Sequence, residues 1–411
     1  MDYYISQFGD DANSGQSHKH SWKSIDRVNI NPLEPGDSVW FHANHTFKGS
    51  LRRYDSKSST DENPITFGSY GDGVATIDAG IGDGFYAKNC GNIRIENLKF
   101  VGSSQNSCSG IAFVNALPEG RKLSNIRIDN VDVSGFRDAG ICITARPIDG
   151  GLCGFNGVKI THANVYDNGD TGIIIIGHWN PLDEGYSHVN IYVGHCCVYR
   201  NFGTPNQERH TGNGIVLSQV DGATIEHCEA YENGKLNSCE DGGPVGIWTW
   251  DSNRVLIQFN RSHHNRTGSS KDGGGFDLDG GVKNSIVQYN HSHDNDGAGY
   301  LLAQFEGAKE FYNNVVRYNL SENDARKNCY GGIHFWSTGA SGGIRNTTIY
   351  RNRISTSKST NGNPAAVDCR SENIHNIHFY NNTFMSDSIA TLIRGKDNPE
   401  VVFEGNTYLT A

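Results

Sequence analysis

The sequence predicts an all-β, single-domain parallel β-helix closed at its N-terminal end by a cap, and three observations lead there. Similar phrases return along the chain: "NVYDNGDTGIIII", "CEAYENG" followed by "GIWTW", "RSHHNRTGSSKDGGGFDLD", "HSHDNDGAGYLLA" and "SENDARKNCYGGIHFW". Short alternating runs such as "VLIQFN", "SIVQYN" and "NVVRYN" precede several of them, so one turn reads strand, Asn-containing bend, loop, glycine, strand. The glycines that open the second strand (Gly84, Gly110, Gly140, Gly172, Gly214, Gly246, Gly275, Gly299 and Gly332) recur every 24 to 42 residues, the spacing of a solenoid repeat. Composition agrees: 50 glycines, 10 prolines, two methionines and 36% hydrophobic residues suit strands and turns, because glycine costs a helix roughly 1 kcal/mol per interior site.

A chain of 411 residues is long enough for two or three average domains, but a repeat that cannot bury its apolar side alone favours one continuous stack. The elements follow in order. Residues 1–80 read as a strand, a loop, a short helix from about Ser21 and further strands, forming a cap with the first strands of the helix. Residues 81–411 carry the repeats and the substrate cleft, with "NIHFYNNTF" and "VVFEGNTYLT" as closing turns. After each glycine the first and third residues are apolar: Ile215 and Leu217, Phe276 and Leu278, Tyr300 and Leu302, Ile333 and Phe335. These point inward, so the second and fourth point outward. Asn168, Asn201, Asn233, Asn265 and Asn295 share one place in the repeat and read as scaffold, since Asn tolerates a left-handed bend and its amide bonds to stacked neighbours.

A formal net charge of −10 argues against a nucleic-acid partner. No apolar run approaches the eighteen residues of a membrane span, and "MDYYISQFGD" does not resemble a signal peptide. The expectation is a secreted or extracytoplasmic protein in its mature form, with no membrane partner. The ten cysteines show neither a compact disulfide framework nor a CxxC pattern and read as small buried hydrophobes. His263, His264, His291 and His293 occupy equivalent places in successive turns. They read as a surface stack, and no metal site is expected for want of a third ligand at convincing spacing.

The opening "YYISQFGDDANSG", with "SWKSIDRVN" and "PGDSVWF" and the Asn- and Gly-rich turns, resembles the right-handed β-helix proteins that act on polysaccharides. The resemblance covers nearly the whole chain and implies right-handedness. It includes glycoside hydrolases, polysaccharide lyases and epimerases, so activity has to be argued from a site.

Stacking the outward positions gives one column of Cys142, Ile174, Val216, Trp248, Asp277, Leu301 and His334, and a second of Thr144, Ile176, Ser218, Trp250, Asp279, Ala303, Trp336 and Asp368. Two aspartates thus stand beside two tryptophans on an outer face. Aspartate is a poor strand former, and a large ring left in water forgoes substantial burial energy; flat rings beside carboxylates suit a sugar. The expected catalytic groups are Asp277 and Asp279, with Asp272, Glu240 and Asp241 as loop carboxyls able to replace either. Trp248, Trp250, Trp336, His334, Glu208, Arg209, His210, Lys271 and Gln304 are the expected substrate contacts.

Glycoside hydrolysis is the preferred reading, because it needs one carboxyl to protonate the leaving oxygen and another to attack or to activate water. The strand spacing of Asp277 and Asp279, about 6.6 to 6.8 Å between Cα atoms, favours inversion over retention. No cofactor is required for this chemistry. The alternative is a lyase or epimerase acting on uronic-acid polymers, with Asp251, Asp272, Asp277 and Asp279 holding Ca²⁺. "KDGGGFDL" resembles the calcium-binding strand of some pectate lyases, but one glycine stands where an aspartate is expected, and Lys271, Arg209 or His334 would have to remove the proton. A non-catalytic glycan-binding β-helix is the third reading.

Overall fold

The computed structural model describes residues 1–55, 63–338, 342–387 and 392–410. It is a parallel β-helix built almost wholly from short strands. The chain divides into two compact units, Met1–His178 with Ser187–Cys197, and Trp179–Tyr186 with Val198–Ala411.

In the first unit the strand Asp2–Ile5 pairs in parallel with Ser38–His42, which pairs with Ile65–Tyr70. The helix starts later than the sequence suggested, at Ile25, and ends at Ile30. Ser24 caps it by accepting from the Arg27 N–H at 3.1 Å. Trp22, placed just before the cap, is instead fully buried, and its indole N–H donates to the Asn13 carbonyl at 3.0 Å. The glycine-opened strands of this unit, Phe85–Lys88, Ile111–Asn115, Ala139–Ala145 and Thr171–Ile176, pair in parallel turn by turn.

In the second unit the corresponding strands are Asn213–Ser218, Val245–Trp250, Gly274–Asp279, Tyr300–Gln304, Gly331–Ser337, Ala365–Asp368 and Ile393–Arg394. The inward set is as expected: Ile215, Leu217, Phe276, Leu278, Tyr300, Leu302, Ile333 and Phe335 are all buried. The glycines at the strand starts are steric requirements. A Cβ on Gly246 would stand 2.1 Å from Ser262 Oγ, and one on Gly275 would stand 2.2 Å from Ser292 Oγ.

The Asn positions do form a ladder. Side-chain amides of Asn201, Asn233 and Asn265 each donate to the next rung at 3.0 Å, and Asn295 ends the run on Asp324 at 2.7 Å. A second ladder, not recognised in the sequence, runs Asn260, Asn290, Asn319, Asn352, Asn382 and Asn406 with amide bonds of 2.9 to 3.2 Å. Buried amides are tolerated because each finds a partner one turn on. All ten cysteines are free thiols, and six of them are buried.

Candidate active site

The register confirms most of the outward columns. Val216 pairs with Trp248, Trp248 with Asp277, Asp277 with Leu301 and Leu301 with His334. Trp250 pairs with Asp279, and Ala303 with Trp336. One expected position is wrong: Asp368 pairs with His334 and belongs to the first column rather than the second. The alignment slipped by two residues there because Ala366 stands where a glycine opens the other strands.

Asp277 is nearly buried, at 4% exposure, and its Oδ1 has no hydrogen-bond partner. Burial, then the charges of Asp279 and Asp272, push its pKa well above the usual carboxylate range. Asp279 is half-buried and accepts from the Gly280 N–H at 2.6 Å. Burial raises it to about 6 against that hydrogen bond, with Asp272 adding to the rise. Asp272 reaches the same patch from the loop. Its Oδ2 accepts from the Gly243 N–H at 2.8 Å and its Oδ1 from the Tyr330 hydroxyl at 3.1 Å. Burial raises Asp272 as well, opposed by His210, Tyr330, Gly243 and Lys271 in turn. Tyr330, which the sequence reading missed, also accepts from the Asp272 N–H at 2.8 Å and leans on Ala298, Leu301 and Ala303.

The rings divide into two sets. Trp248, expected as an outward substrate contact, is 6% exposed; its indole N–H donates to Asn213 Oδ1 at 3.1 Å, and its ring lies 5.6 Å from that of His210. The loop carrying His210 covers it. Trp250 is half-buried in a cluster with Trp179 at 6.2 Å and Phe305 at 6.4 Å. Neither Trp179 nor Phe305 was expected, because both stand outside the repeat phrase. Gly280 admits Phe305 beside Asp279, since a Cβ there would stand 2.1 Å from the phenyl ring. Trp336 is 41% exposed.

His334 is buried against Tyr330, 4.9 Å between ring centres, and burial pushes its pKa down to about 4. Its Nδ1 lies 3.8 Å from Asp368 Oδ2. Asp368 is itself clamped by Arg370 at 2.6 and 2.9 Å, with Arg394 at 3.4 Å. Burial pushes Asp368 up, but Arg370 and His334 outweigh it and hold it below the usual range.

The other expected contacts are a buried glutamine and exposed loop groups. Gln304 is fully buried, accepts from the Gly281 N–H at 3.0 Å and donates to the Lys309 carbonyl at 2.8 Å, so it shapes the turn and presents no surface to a ligand. Glu208, Arg209, Asp241 and Lys271 are exposed loop residues. Glu240 is exposed too and accepts from the Ser270 N–H and hydroxyl. Asp251, a ligand in the calcium alternative, is fully buried with Oδ1 3.2 Å from Lys309 Nζ and Oδ2 accepting from Gln219. A cation that needs six to eight oxygens would have to displace that lysine.

Comparison with known proteins bears on this site. The family model described as "Right handed beta helix region" matches residues 152–354. The lacto-N-biosidase of Bifidobacterium longum subsp. longum is 24% identical, over 99% of this chain and 30% of that protein. The chain therefore spans under a third of the length of that relative. The crystal structure of the GH136 lacto-N-biosidase from Eubacterium ramulus superposes with a TM-score of 0.67 at 18% identity, covering 100% of this chain and 68% of that one. The A-module of a mannuronan C-5 epimerase from Azotobacter vinelandii gives 0.61 at 14%, covering 91% of each. The fold is the right-handed parallel β-helix. The resemblance to carbohydrate-active members of that fold, expected from the opening motif and the turns, holds across the chain.

Proposed function

We propose that the chain is a glycoside hydrolase acting on oligosaccharides, in the manner of the lacto-N-biosidases it resembles, with Asp272 and Asp279 as its reacting carboxyls. One observation carries the assignment: these two are the partly exposed members of a three-carboxyl patch flanked by aromatic rings, whereas Asp277 is nearly buried. A group that exchanges a proton with substrate has to reach it within about 3 Å, so Asp272 takes the place first given to Asp277.

The environments split the roles. Burial raises the pKa of Asp272, but it accepts from a hydroxyl and a backbone N–H and faces His210, three contacts that oppose that rise. Asp279 has a single backbone donor and titrates at about 6, close to the operating pH at which a general acid works best. Asp279 gives its proton to the glycosidic oxygen as the bond to the anomeric carbon breaks. Asp272 either attacks that carbon or takes a proton from the attacking water. The inverting outcome argued from the spacing of Asp277 and Asp279 does not carry over to this pair, because Asp272 comes from the loop. The anomer first released, read by proton NMR, decides between the two outcomes.

Trp179, Trp250 and Phe305 supply the sugar platform. Trp250→Ala is expected to raise KM about tenfold, equivalent to about 1.4 kcal/mol, with a smaller change in kcat. An unchanged KM would move the platform elsewhere.

The reaction class is tested on lacto-N-biosidase substrates and on uronic-acid polymers, read for new reducing ends and for the ultraviolet absorbance of unsaturated products, with and without chelator. Reducing ends without absorbance, indifferent to chelation, are expected. Absorbance that disappears with the chelator would make the protein a calcium-dependent lyase.

A further inference from the structure

A second cluster of chemistry-bearing side chains lies on the other sheet, in the turns Arg261–His263 and His291–His293. We infer that His263, His264 and His293 form a binding site for one divalent transition-metal cation of the zinc class. One ligand atom from each of the three rings lies within 4.8 Å of the others. His263 and His293 stack one turn apart with ring centres 4.6 Å apart, and His264, at the bend, turns edge-on to both.

The donor arrangement distinguishes this cluster from a surface stack. The Nδ1 atoms of His263 and His264 face each other at 2.8 Å. Two such nitrogens on one tetrahedral zinc, each about 2.0–2.1 Å from the metal, stand roughly 3.3 Å apart, so a small opening of the pair admits the ion. His263 Nε2 lies 3.1 Å from Glu229 Oε1, and His293 Nδ1 lies 2.9 Å from Asp294 Oδ2. These are the carboxylate partners that fix the tautomer of a metal-ligating imidazole and raise its basicity. They leave His263 Nδ1, His264 Nδ1 and His293 Nε2 as the candidate donors.

His293 Nε2 accepts from Arg261 Nε at 3.1 Å. Arg261 is half exposed and also holds Glu229 at 3.2 Å, so its guanidinium can release the ring to the metal while keeping the carboxylate. Glu229 and Asp294 balance the charge of the ion. A fourth ligand would be supplied by water, and the site would link two successive turns.

The test uses the full-length chain without a histidine tag, stripped with chelator and titrated with ZnCl2 by calorimetry, with the thermal midpoint read in parallel. One equivalent is expected to bind at micromolar Kd or tighter and to raise the midpoint by several degrees. His264→Ala should weaken binding at least tenfold and abolish the midpoint shift while leaving glycosidase activity unchanged. Cu²⁺ on the unmodified chain supplies a readout independent of any variant, since paramagnetic resonance should show coupling to imidazole nitrogens. No binding, equal binding by His264→Ala, or a copper spectrum lacking nitrogen coupling would each overturn the site.

Discussion

Asp279→Asn is expected to lower kcat by about a hundredfold to ten-thousandfold, because it removes the proposed proton donor, whose contribution is typically 10² to 10⁴. Asp272→Asn should do the same through loss of the nucleophile or base. Asp277→Asn should cost at least tenfold less than either, since Asp277 lies out of reach of substrate at 4% exposure. Equal losses at Asp277 and Asp279 would restore the strand pair as the catalytic one. The pH dependence follows from the same burial. A proton donor titrating at about 6 makes kcat/KM fall as the pH rises above that value. A rate that instead climbs through pH 6 would exchange the roles of Asp272 and Asp279.

In the Asp279→Asn variant, stability should move opposite to activity. The folded pKa of Asp279, about 6, lies above its ordinary value of 3.8, so between those values the native chain holds more protons than the unfolded chain. Its stability therefore falls as the pH rises through that window. Asparagine carries no such penalty. At pH 7 the Asp279→Asn protein should gain up to about 3 kcal/mol and melt no lower than the parent. A clear fall in its thermal midpoint would mean that the lost activity reports misfolding.

The fold was legible because a solenoid repeats its own rules. The glycine that opens a strand is required wherever a neighbouring turn packs onto it, as Gly246 packs on Ser262, and the inward positions alternate from there. Reading failed where the repeat lapsed, at Ala366, which displaced Asp368 from its place under His334. The carboxyl patch was visible for the converse reason: Asp277 and Asp279 break the apolar pattern of a strand that the stack stabilises from both sides. Which carboxyls meet solvent was not visible, since that depends on where loops land. The His210 loop covers Trp248, Trp179 arrives from a segment far away in sequence to stand by Trp250, and Tyr330 reaches Asp272 across 58 residues. Loop closure of that kind leaves no period to read.

The ion pair behind the site carries the largest expected stability effect. Asp251 is fully buried, and Lys309, its cationic partner at 3.2 Å, is only 12% exposed. The angles of that contact fall outside hydrogen-bond geometry, so it is Coulomb attraction, together with the hydrogen bond from Gln219, that compensates a carboxylate removed from water. Lys309→Met keeps the length of the side chain and its packing near the Tyr186 ring but leaves the charge unpaired. A loss of about 3–5 kcal/mol is expected at pH 7.5. Burial already raises the pKa of Asp251 against the pull of Gln219 and Lys309, and without the lysine it rises further. The native variant then takes up a proton that the unfolded chain does not, so its deficit should shrink as the pH is lowered toward 5. Adding Asp251→Asn should recover most of the loss, because replacing both partners removes the unpaired charge. The pair also adjoins the proposed acid: the Asp251 N–H donates to the carbonyl of Gly280, the residue after Asp279, at 2.7 Å. Denaturation midpoints of the single and double variants at the two pH values provide the measurement. A deficit below 1 kcal/mol that does not change with pH would mean that Asp251 is already protonated in the parent protein and that Lys309 contributes packing alone.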